Sequence, residues 1–159
     1  MSGMRSRLVS GNLIGTALFL VTLGIAIPFR AESFAQVLIA VVSIVLFAIG
    51  IATSLWAYTT ALERSRTQEV GVANLYLLTG PTAPKDEKRW MSAALAVQVV
   101  AAVVGASVGV TGLQQGDVNA LAFGVLVPMF GIGMNGAWAA RYGSYGPRVI
   151  ATKSSKKNG

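Results

Sequence analysis

Four long stretches without a charged residue occupy most of the chain, and the shortest of them, Leu8–Phe29, has 22 residues. A helix needs about 20 apolar residues to cross the hydrocarbon core of a bilayer, so each stretch is long enough. The apolar runs at 37–52 and 94–104 are continuous rather than alternating, which favours helices over barrel strands. The pattern predicts an all-α membrane protein with four transmembrane helices, at about 8–29, 34–62, 90–113 and 119–140.

The predicted links within each half of the chain, 28–33 and 114–118, are short, so we expect two antiparallel helical hairpins. Twelve of the thirteen lysine and arginine residues lie before the first span, in the loop 63–89 or after the fourth span, and only Arg30 lies on the other side. Cytoplasmic segments of membrane proteins carry this excess of positive charge. We therefore predict that both termini, the 63–89 loop and the basic 141–159 tail are cytoplasmic.

The composition agrees with a membrane protein and restricts the chemistry. Hydrophobic residues make up 53% of the 159 positions, and charged residues make up 12%, against about 25% in soluble domains. The chain has no histidine and no cysteine, which excludes a Ser-His-Asp triad, thiolate catalysis and the usual zinc ligands. No carboxylate lies inside a predicted span, which disfavours a proton-coupled transporter. The composition predicts no enzyme activity, no cofactor and no metal.

Small residues recur four apart in several predicted spans, most clearly around Gly105, Gly109, Gly133 and Gly136. Such ridges allow two helix backbones to approach closely, because water provides no hydrophobic drive between helices in lipid. Two interpretations are open, namely packing inside the four-helix bundle and docking against another subunit. The chain has 18 glycines, more than one bundle obviously needs, and this abundance favours a partner.

The predicted loop contains an apolar segment, VGVANLYLL at 70–78, that is too short to span a membrane and ends at Thr79-Gly80-Pro81. Such a segment either lies in the membrane interface or packs against protein. A solvated connector would explain the charged residues at 85–89 but not the apolar ones. We interpret the segment as a cytoplasmic docking element, with these candidate partner-binding residues: Val70, Val72, Leu75, Tyr76, Leu77 and Leu78.

Proline and polar residues inside the spans give weaker indications. Pro128 removes a backbone donor, which predicts a kink near 124–128 that is either static or a hinge beside a path. Asn12, Gln98 and Asn135 are expected to form hydrogen bonds between helices. The basic tail is better explained by contact with anionic membrane lipids than by nucleic-acid binding, since its residues are those that the topology places beside the membrane.

Residues 61–84, ALERSRTQEVGVANLYLLTGPTAP, and the preceding LWAYTTA at 55–61 resemble a group of small four-span membrane proteins of actinobacteria. The chain is similar in particular to the accessory subunit found with the mycobacterial Mce lipid-import complex. This resemblance implies a multi-pass protein of the cell inner (plasma) membrane. It also implies association with the permease and ATPase subunits of a transporter that imports fatty acids or related lipids.

These observations lead to a functional hypothesis and an alternative. The first is a non-enzymatic accessory or assembly subunit that packs laterally on a larger membrane complex, most simply an Mce-type lipid importer. The alternative is a small homo-oligomeric channel or facilitator with Pro128 and Asn135 near its path. An enzyme is the weakest interpretation, because the spans contain no acid, histidine or cysteine to perform chemistry.

Overall fold

The computed structural model describes residues 2–111 and 119–148, so the predicted link at 114–118 and the end of the tail at 149–159 lie outside the described residues. The described residues are helical, and their only β-type pairing is an isolated bridge between Gln68 and Pro147. A 3₁₀ helix, Ala120–Leu126, stands directly before the last α-helix. The α-helices are α1 (Ser2–Ala26), α2 (Ser33–Arg64), α3 (Val72–Tyr76), α4 (Lys85–Val110) and α5 (Pro128–Tyr142).

The predicted all-helical fold with four membrane-length segments is confirmed. Four helical segments within the described residues are long and apolar enough to cross a bilayer: Arg7–Ala26, Ser33–Arg64, Lys85–Val110 and Ala120–Tyr142. Their backbone N–H and C=O groups are satisfied mainly within each helix, which is what a lipid environment requires. The length and composition of these segments are those of a multi-pass membrane protein.

Helix α4 begins at Lys85, five residues before the span that the sequence predicts to start at Trp90. Pro84 precedes the helix as its N-cap, with a φ of −55° and an extended ψ of 153°. Asp86 and Glu87 occupy the first turn, where their negative charges interact favourably with the positive end of the helix dipole. The charged residues therefore extend the helix beyond the membrane-spanning part instead of forming a loop.

Helix α5 is the central helix of the bundle. About 61% of the most apolar window in the segment Ala120–Tyr142 is buried inside the chain, compared with 22–33% in the other three segments. All residues from Phe130 to Ala140 are buried except Ile132, which is partly buried. The helix contacts α1, α2, α3 and α4, and its contact with α2 is the most extensive. Lipid is therefore excluded from most of the circumference of α5.

The fourth membrane segment is broken at Pro128. The 3₁₀ helix ends at Leu126, where the N–H of Val127 donates to the carbonyl of Gly124 at 3.0 Å, and α5 starts with Pro128 as its first residue. Proline is favoured at this position because its missing N–H would have no partner inside the helix. At the position where the sequence predicts a kink, 124–128, the structure has a change from 3₁₀ to α geometry.

Candidate functional site

The two candidate glycines of α4 lie against other parts of the same chain. A Cβ atom built on Gly105 would lie 2.7 Å from Cδ1 of Leu23 in α1. A Cβ atom on Gly109 would overlap the side-chain amide of Asn119. That amide is itself fixed, because its nitrogen donates to the carbonyl of Ala106 at 3.1 Å and its oxygen accepts from the N–H of Ala122 at 3.2 Å.

The two candidate glycines of α5 are also enclosed. Gly133 lies directly against the backbone of Gly50 and the hydroxyl of Thr53 in α2. A Cβ atom on Gly136 would lie 2.7 Å from Cε1 of Tyr76 and 3.2 Å from Cβ of Ala57. Gly133 thus allows the backbone of α2 to approach α5, and Gly136 makes room for the ring of Tyr76.

The structure places the candidate partner-binding glycines Gly105, Gly109, Gly133 and Gly136 inside the bundle. All four are buried, and each contacts a residue of the same chain. Of the two interpretations that the sequence left open, the contacts of these glycines agree with packing inside the bundle. No free surface remains at these positions for a helix of another subunit.

The apolar loop segment is divided between the interior and the surface. Leu75 and Leu78 are fully buried in the hydrophobic core, and Val70 packs against the core from its edge. Val72 and Leu77, by contrast, are 70% and 51% exposed. Only two of the six candidate residues in this segment are thus largely available to another molecule.

Tyr76 connects α3 to two membrane helices. Its hydroxyl donates to the carbonyl of Ser54 in α2 at 3.0 Å, and its carbonyl accepts from Nδ2 of Asn135 in α5 at 3.2 Å. Partial burial, together with the nearby Tyr58, raises the pKa of the Tyr76 hydroxyl, so the group remains a donor at neutral pH. Tyr76 therefore holds α3 in place and is not itself a free docking residue.

A tight turn brings the chain from α3 back towards α4. Leu78 has a φ of 53° and Gly80 a φ of 64°, both in the left-handed region. Leucine rarely adopts this conformation, and burial of its side chain offsets the local strain. The hydroxyl of Thr82 closes the turn by donating to the carbonyl of Thr79 at 2.7 Å. This reversal buries Leu78 and leaves its neighbour Leu77 outside.

Arg64, at the end of α2, organises the same end of the molecule. Its guanidinium donates to the carbonyls of Ala140 at 2.9 Å and Gly143 at 2.8 Å, and more weakly to that of Ala139 at 3.4 Å. It also lies over the ring of Tyr145, at 4.9 Å from the ring centre. The carbonyls of Ala139 and Ala140 belong to the last turn of α5 and Gly143 is its C-cap, so the positive charge of Arg64 meets the negative end of that helix dipole.

The tail after α5 is tied to the loop by backbone hydrogen bonds. The N–H of Glu69 donates to the carbonyl of Gly146 at 2.9 Å, and the N–H of Arg148 donates to that of Thr67 at 3.1 Å. The N–H of Ser144 donates to the carbonyl of Thr82 at 3.0 Å. Together with the Arg64 contacts, these bonds join residues 64–82 and 139–148 into one unit, which we name the end cap.

The end cap contains a shallow pocket of about 310 Å³ beside Tyr145. Burial raises the pKa of the Tyr145 hydroxyl, although the positive charge of Arg64 opposes that shift. The hydroxyl therefore stays protonated at neutral pH and donates to the carbonyl of Ala139 at 3.1 Å. The pocket is lined by Glu69, Gly71, Asn74, Pro81, Thr82, Ser144, Tyr145 and Gly146.

We expect Arg64→Gln to loosen the end cap by about 2 kcal/mol, because two strong charge-assisted hydrogen bonds and the contact with the helix dipole are lost. Limited proteolysis in detergent should cut near residues 143–148 several times faster than in the unaltered protein. Arg66→Gln is the matched control, since Arg66 is exposed and only two residues away. Equal cleavage of the two variants would contradict the role of Arg64.

A buried polar network joins three helices near the break at Pro128. The N–H of Gly131 donates to Oε1 of Gln98 at 3.1 Å, and Nε2 of Gln98 donates to Oγ1 of Thr16 at 2.7 Å and to Oδ1 of Asn12 at 3.2 Å. Gln98 and Asn12 are fully buried. Gln98 thus accepts one of the N–H groups that the first turn of α5 leaves free. The expected hydrogen bonds between helices are present at Asn12, Gln98 and Asn135.

The outward face of α4 differs from the outward faces of α1 and α2. Between Met91 and Val110, its exposed residues are only alanine, valine and serine, whereas α1 exposes Leu13, Ile14 and Leu18, and α2 exposes Ile44 and Leu55. Six of the exposed residues of α4 alternate in spacings of three and four. We name this stripe the α4 seam: Ala93, Ala96, Val100, Val103, Ser107 and Val110.

Sequence reasoning did not identify the α4 seam or Arg64. The seam has a readable signal, a heptad-like spacing of small and β-branched residues, but the spacing alone does not show which face of the helix points outward. Arg64 has no comparable signal, because the carbonyls that it contacts lie more than 70 positions later in the chain.

Comparisons with known proteins identified no relative of this chain. No family model, no curated protein and no solved structure matches this chain.

Proposed function

We propose that the protein is a non-enzymatic accessory subunit that packs laterally, through the α4 seam, on a helix of a larger membrane complex. The α4 seam carries this proposal. Small residues permit close approach of two helix backbones, and valine loses little side-chain freedom on packing because its χ1 angle is already fixed in a helix. Long aliphatic side chains, which suit contact with fluid acyl chains, are exposed on α1 and α2 instead.

The spacing of the seam also indicates the geometry of the contact. An alternation of three and four residues keeps one face towards a partner helix that crosses at about +20°, as in left-handed coiled coils and most membrane bundles. The seam runs from Ala93 to Val110, a length of about 25 Å at 1.5 Å per residue. A partner helix could therefore contact α4 across most of the hydrocarbon core.

We propose that this complex is an Mce-type lipid importer, in which the seam contacts the permease and the associated ATPase supplies energy for import of fatty acids or related lipids. This proposal is supported by the sequence resemblance of residues 55–84. Most of that stretch, residues 64–82, belongs to the end cap, and the residues before it form the end of α2. The end cap is held together by its own hydrogen bonds, as expected of a preformed surface rather than a flexible connector.

We further infer that the spans form two antiparallel hairpins in the inner membrane with both termini cytoplasmic. Six residues separate α1 from α2, which leaves room only for a tight reversal. The excess of lysine and arginine supports the orientation. The end cap then lies on the cytoplasmic side, where a soluble ATPase subunit would be found.

The alternative of a homo-oligomeric channel is less well supported. Asn135, which we expected near the path, is fully buried in this bundle and donates to the carbonyl of Tyr76. The buried polar side chains of the described residues are asparagine, glutamine, serine and threonine, with no ionisable group among them. An interior of this kind suits a static scaffold better than an ion or proton path.

Co-purification from native membranes tests the proposal. The tagged chain, solubilised gently, should recover permease and ATPase subunits in fixed proportion. Val100→Trp on the seam should reduce that recovery about tenfold, which corresponds to the loss of about 1.4 kcal/mol of helix packing. Leu18→Trp, on the outward face of α1, is the matched control and should leave recovery unchanged.

The test has two contrary outcomes. Equal recovery with Val100→Trp and Leu18→Trp would show that the α4 seam faces lipid. Recovery of the chain alone as a fixed oligomer would instead support the channel alternative. A photoreactive amino acid at position 100 would identify the contacted subunit directly.

A further inference from the structure

Helix α2 shows where the bilayer ends relative to the end cap. It has 32 residues and a length of about 48 Å, which exceeds the hydrocarbon core by about 18 Å. Phe34 stands at its start and is 73% exposed, so the core begins near this residue. About 20 residues later, the helix reaches the opposite boundary of the core close to Ser54.

Exposed aromatic residues give an indication that does not depend on helix length. Trp56 and Tyr58 follow Ser54 directly in α2 and are 43% and 49% exposed. Trp90, on the outward face of α4, is 57% exposed. Tryptophan and tyrosine concentrate where the hydrocarbon meets the headgroups, because their rings are apolar and their N–H or O–H groups are polar. Both helices thus carry exposed aromatic residues near the end that leads into the end cap, as expected if the boundary lies at this end.

Tyr76 fixes α3 at this boundary. Its hydroxyl donates to the carbonyl of Ser54, about 15 Å below the end of α2 at Arg64. Helix α3 packs on α5, and its Tyr76 side chain reaches Ser54 of α2, so α3 lies within the length of one side chain of the boundary at the headgroups. Asn135, which donates to the carbonyl of Tyr76, holds it there from α5.

The exposed side chains of α3 and of Leu77, which follows it, are apolar. They lie at the level where acyl chains begin. Val72 and Leu77 point away from the core that Leu75 and Leu78 enter. In water these two side chains would remain unburied, at a cost of about 0.8 kcal/mol per CH₂ group. Lys88, whose Nζ lies 3.5 Å from the carbonyl of Gly80, places a positive charge beside the same segment.

We propose that α3 and Leu77 form a membrane-surface element, in which Val72 and Leu77 insert into the phospholipid interface of the bilayer that the protein spans. The molecules that this element contacts are phospholipids, at the level where acyl chains meet headgroups. Lys88 is positioned to contact anionic headgroups. This proposal is independent of the partner of the α4 seam, since it concerns a different surface.

Spin labelling tests the proposal on a chain that has no cysteine of its own. Single-cysteine variants Val72→Cys and Leu77→Cys would carry a nitroxide in vesicles of phosphatidylglycerol and phosphatidylethanolamine. The measurement is the ratio of accessibility to oxygen, which enters lipid, and to a water-soluble nickel complex. Glu69→Cys, in the same loop and exposed, is the aqueous reference, and Leu18→Cys is the hydrocarbon reference.

We expect the ratio at positions 72 and 77 to exceed that at position 69 by about threefold or more, and to lie below that at position 18, as for a group at interfacial depth. A ratio equal to that of Glu69→Cys would overturn the proposal. Protection from both reagents would also overturn it, since protein and not lipid would then cover the segment. If a label disturbs the fold, Ala73→Cys, an exposed neighbour in α3, gives the same comparison.

Discussion

Replacement of Gly50 or Gly133 by leucine is expected to cost about 3 kcal/mol of bundle stability and to leave much of the protein unable to assemble. The two glycines face each other at the contact of α2 with α5. A Cβ atom on Gly50 would lie 2.5 Å from the carbonyl oxygen of Met129 and 2.6 Å from the N of Phe130. Because these are backbone atoms, no side-chain rotation can relieve the overlap, and the two helices must separate.

The measurement is the SDS-induced unfolding of the purified protein in mixed micelles, followed by circular dichroism and by elution as a single species. Gly24→Leu is the matched control, because Gly24 is exposed in α1 and a Cβ there would meet no atom within 4 Å. This variant should unfold at the same SDS fraction as the unaltered protein. A Gly133→Leu protein as stable as Gly24→Leu would show that α2 and α5 are not in backbone contact.

The glycines at the contact of α2 with α5 also show what could not be predicted from the sequence. Small residues spaced four positions apart favour close helix packing. The same spacing occurs for packing within a chain and between chains, so it does not distinguish the two. A further signal was present in α5, where Gly131, Gly133 and Gly136 are joined by alanines at 137, 139 and 140. Small residues on all sides of a helix indicate neighbours on all sides, which is the position that α5 occupies.

The membrane segments were predictable for a physical reason. The hydrocarbon core imposes a minimum length of apolar helix, and charged residues cannot enter it cheaply, so the charge-free stretches locate the spans. The 3₁₀ helix at 120–126 was less accessible. Pro128 predicted a disturbance, but the choice between a kink and a change of helix type depends on contacts with Asn119 and Gln98.

The end cap was beyond the reach of local patterns. The apolar segment 70–78 was predicted as one docking element, whereas the left-handed turn at Leu78 and Gly80 divides it into an inner and an outer face. Its position depends on Tyr76 and Arg64, which contact residues 22 to 79 positions away. Such pairs leave no mark in a single sequence, because either residue alone is compatible with a solvated loop.

The two ends of α5 are held by different kinds of side chain. Arg64 fixes the C-terminal end of α5, where its guanidinium is only partly buried. Gln98 fixes the opposite end of α5 in the interior of the bundle, where a neutral amide supplies the acceptor that the first turn needs without the cost of a buried charge. Helix α5 is thus held at both ends by side chains of other helices.

Loss of the inner contact should therefore have a large effect. Gln98→Leu preserves volume approximately, but it leaves the N–H of Gly131 without its acceptor, and it leaves Thr16 and Asn12 without their shared donor. We expect a loss of about 2–4 kcal/mol, since each bond between membrane helices contributes about 0.6–2 kcal/mol and the freed backbone donor stays buried.

The same SDS titration measures this loss, and Gln36→Leu provides the matched control. Gln36 undergoes the same chemical change, but its amide donates to the carbonyl of Arg30 at an exposed site, where water or headgroups can replace it. Its unfolding should move by about 0.5 kcal/mol or less. If Gln98→Leu instead matched Gln36→Leu, the start of α5 would be stabilised by packing around Pro128 alone, and the polar network would not be what fixes the broken helix.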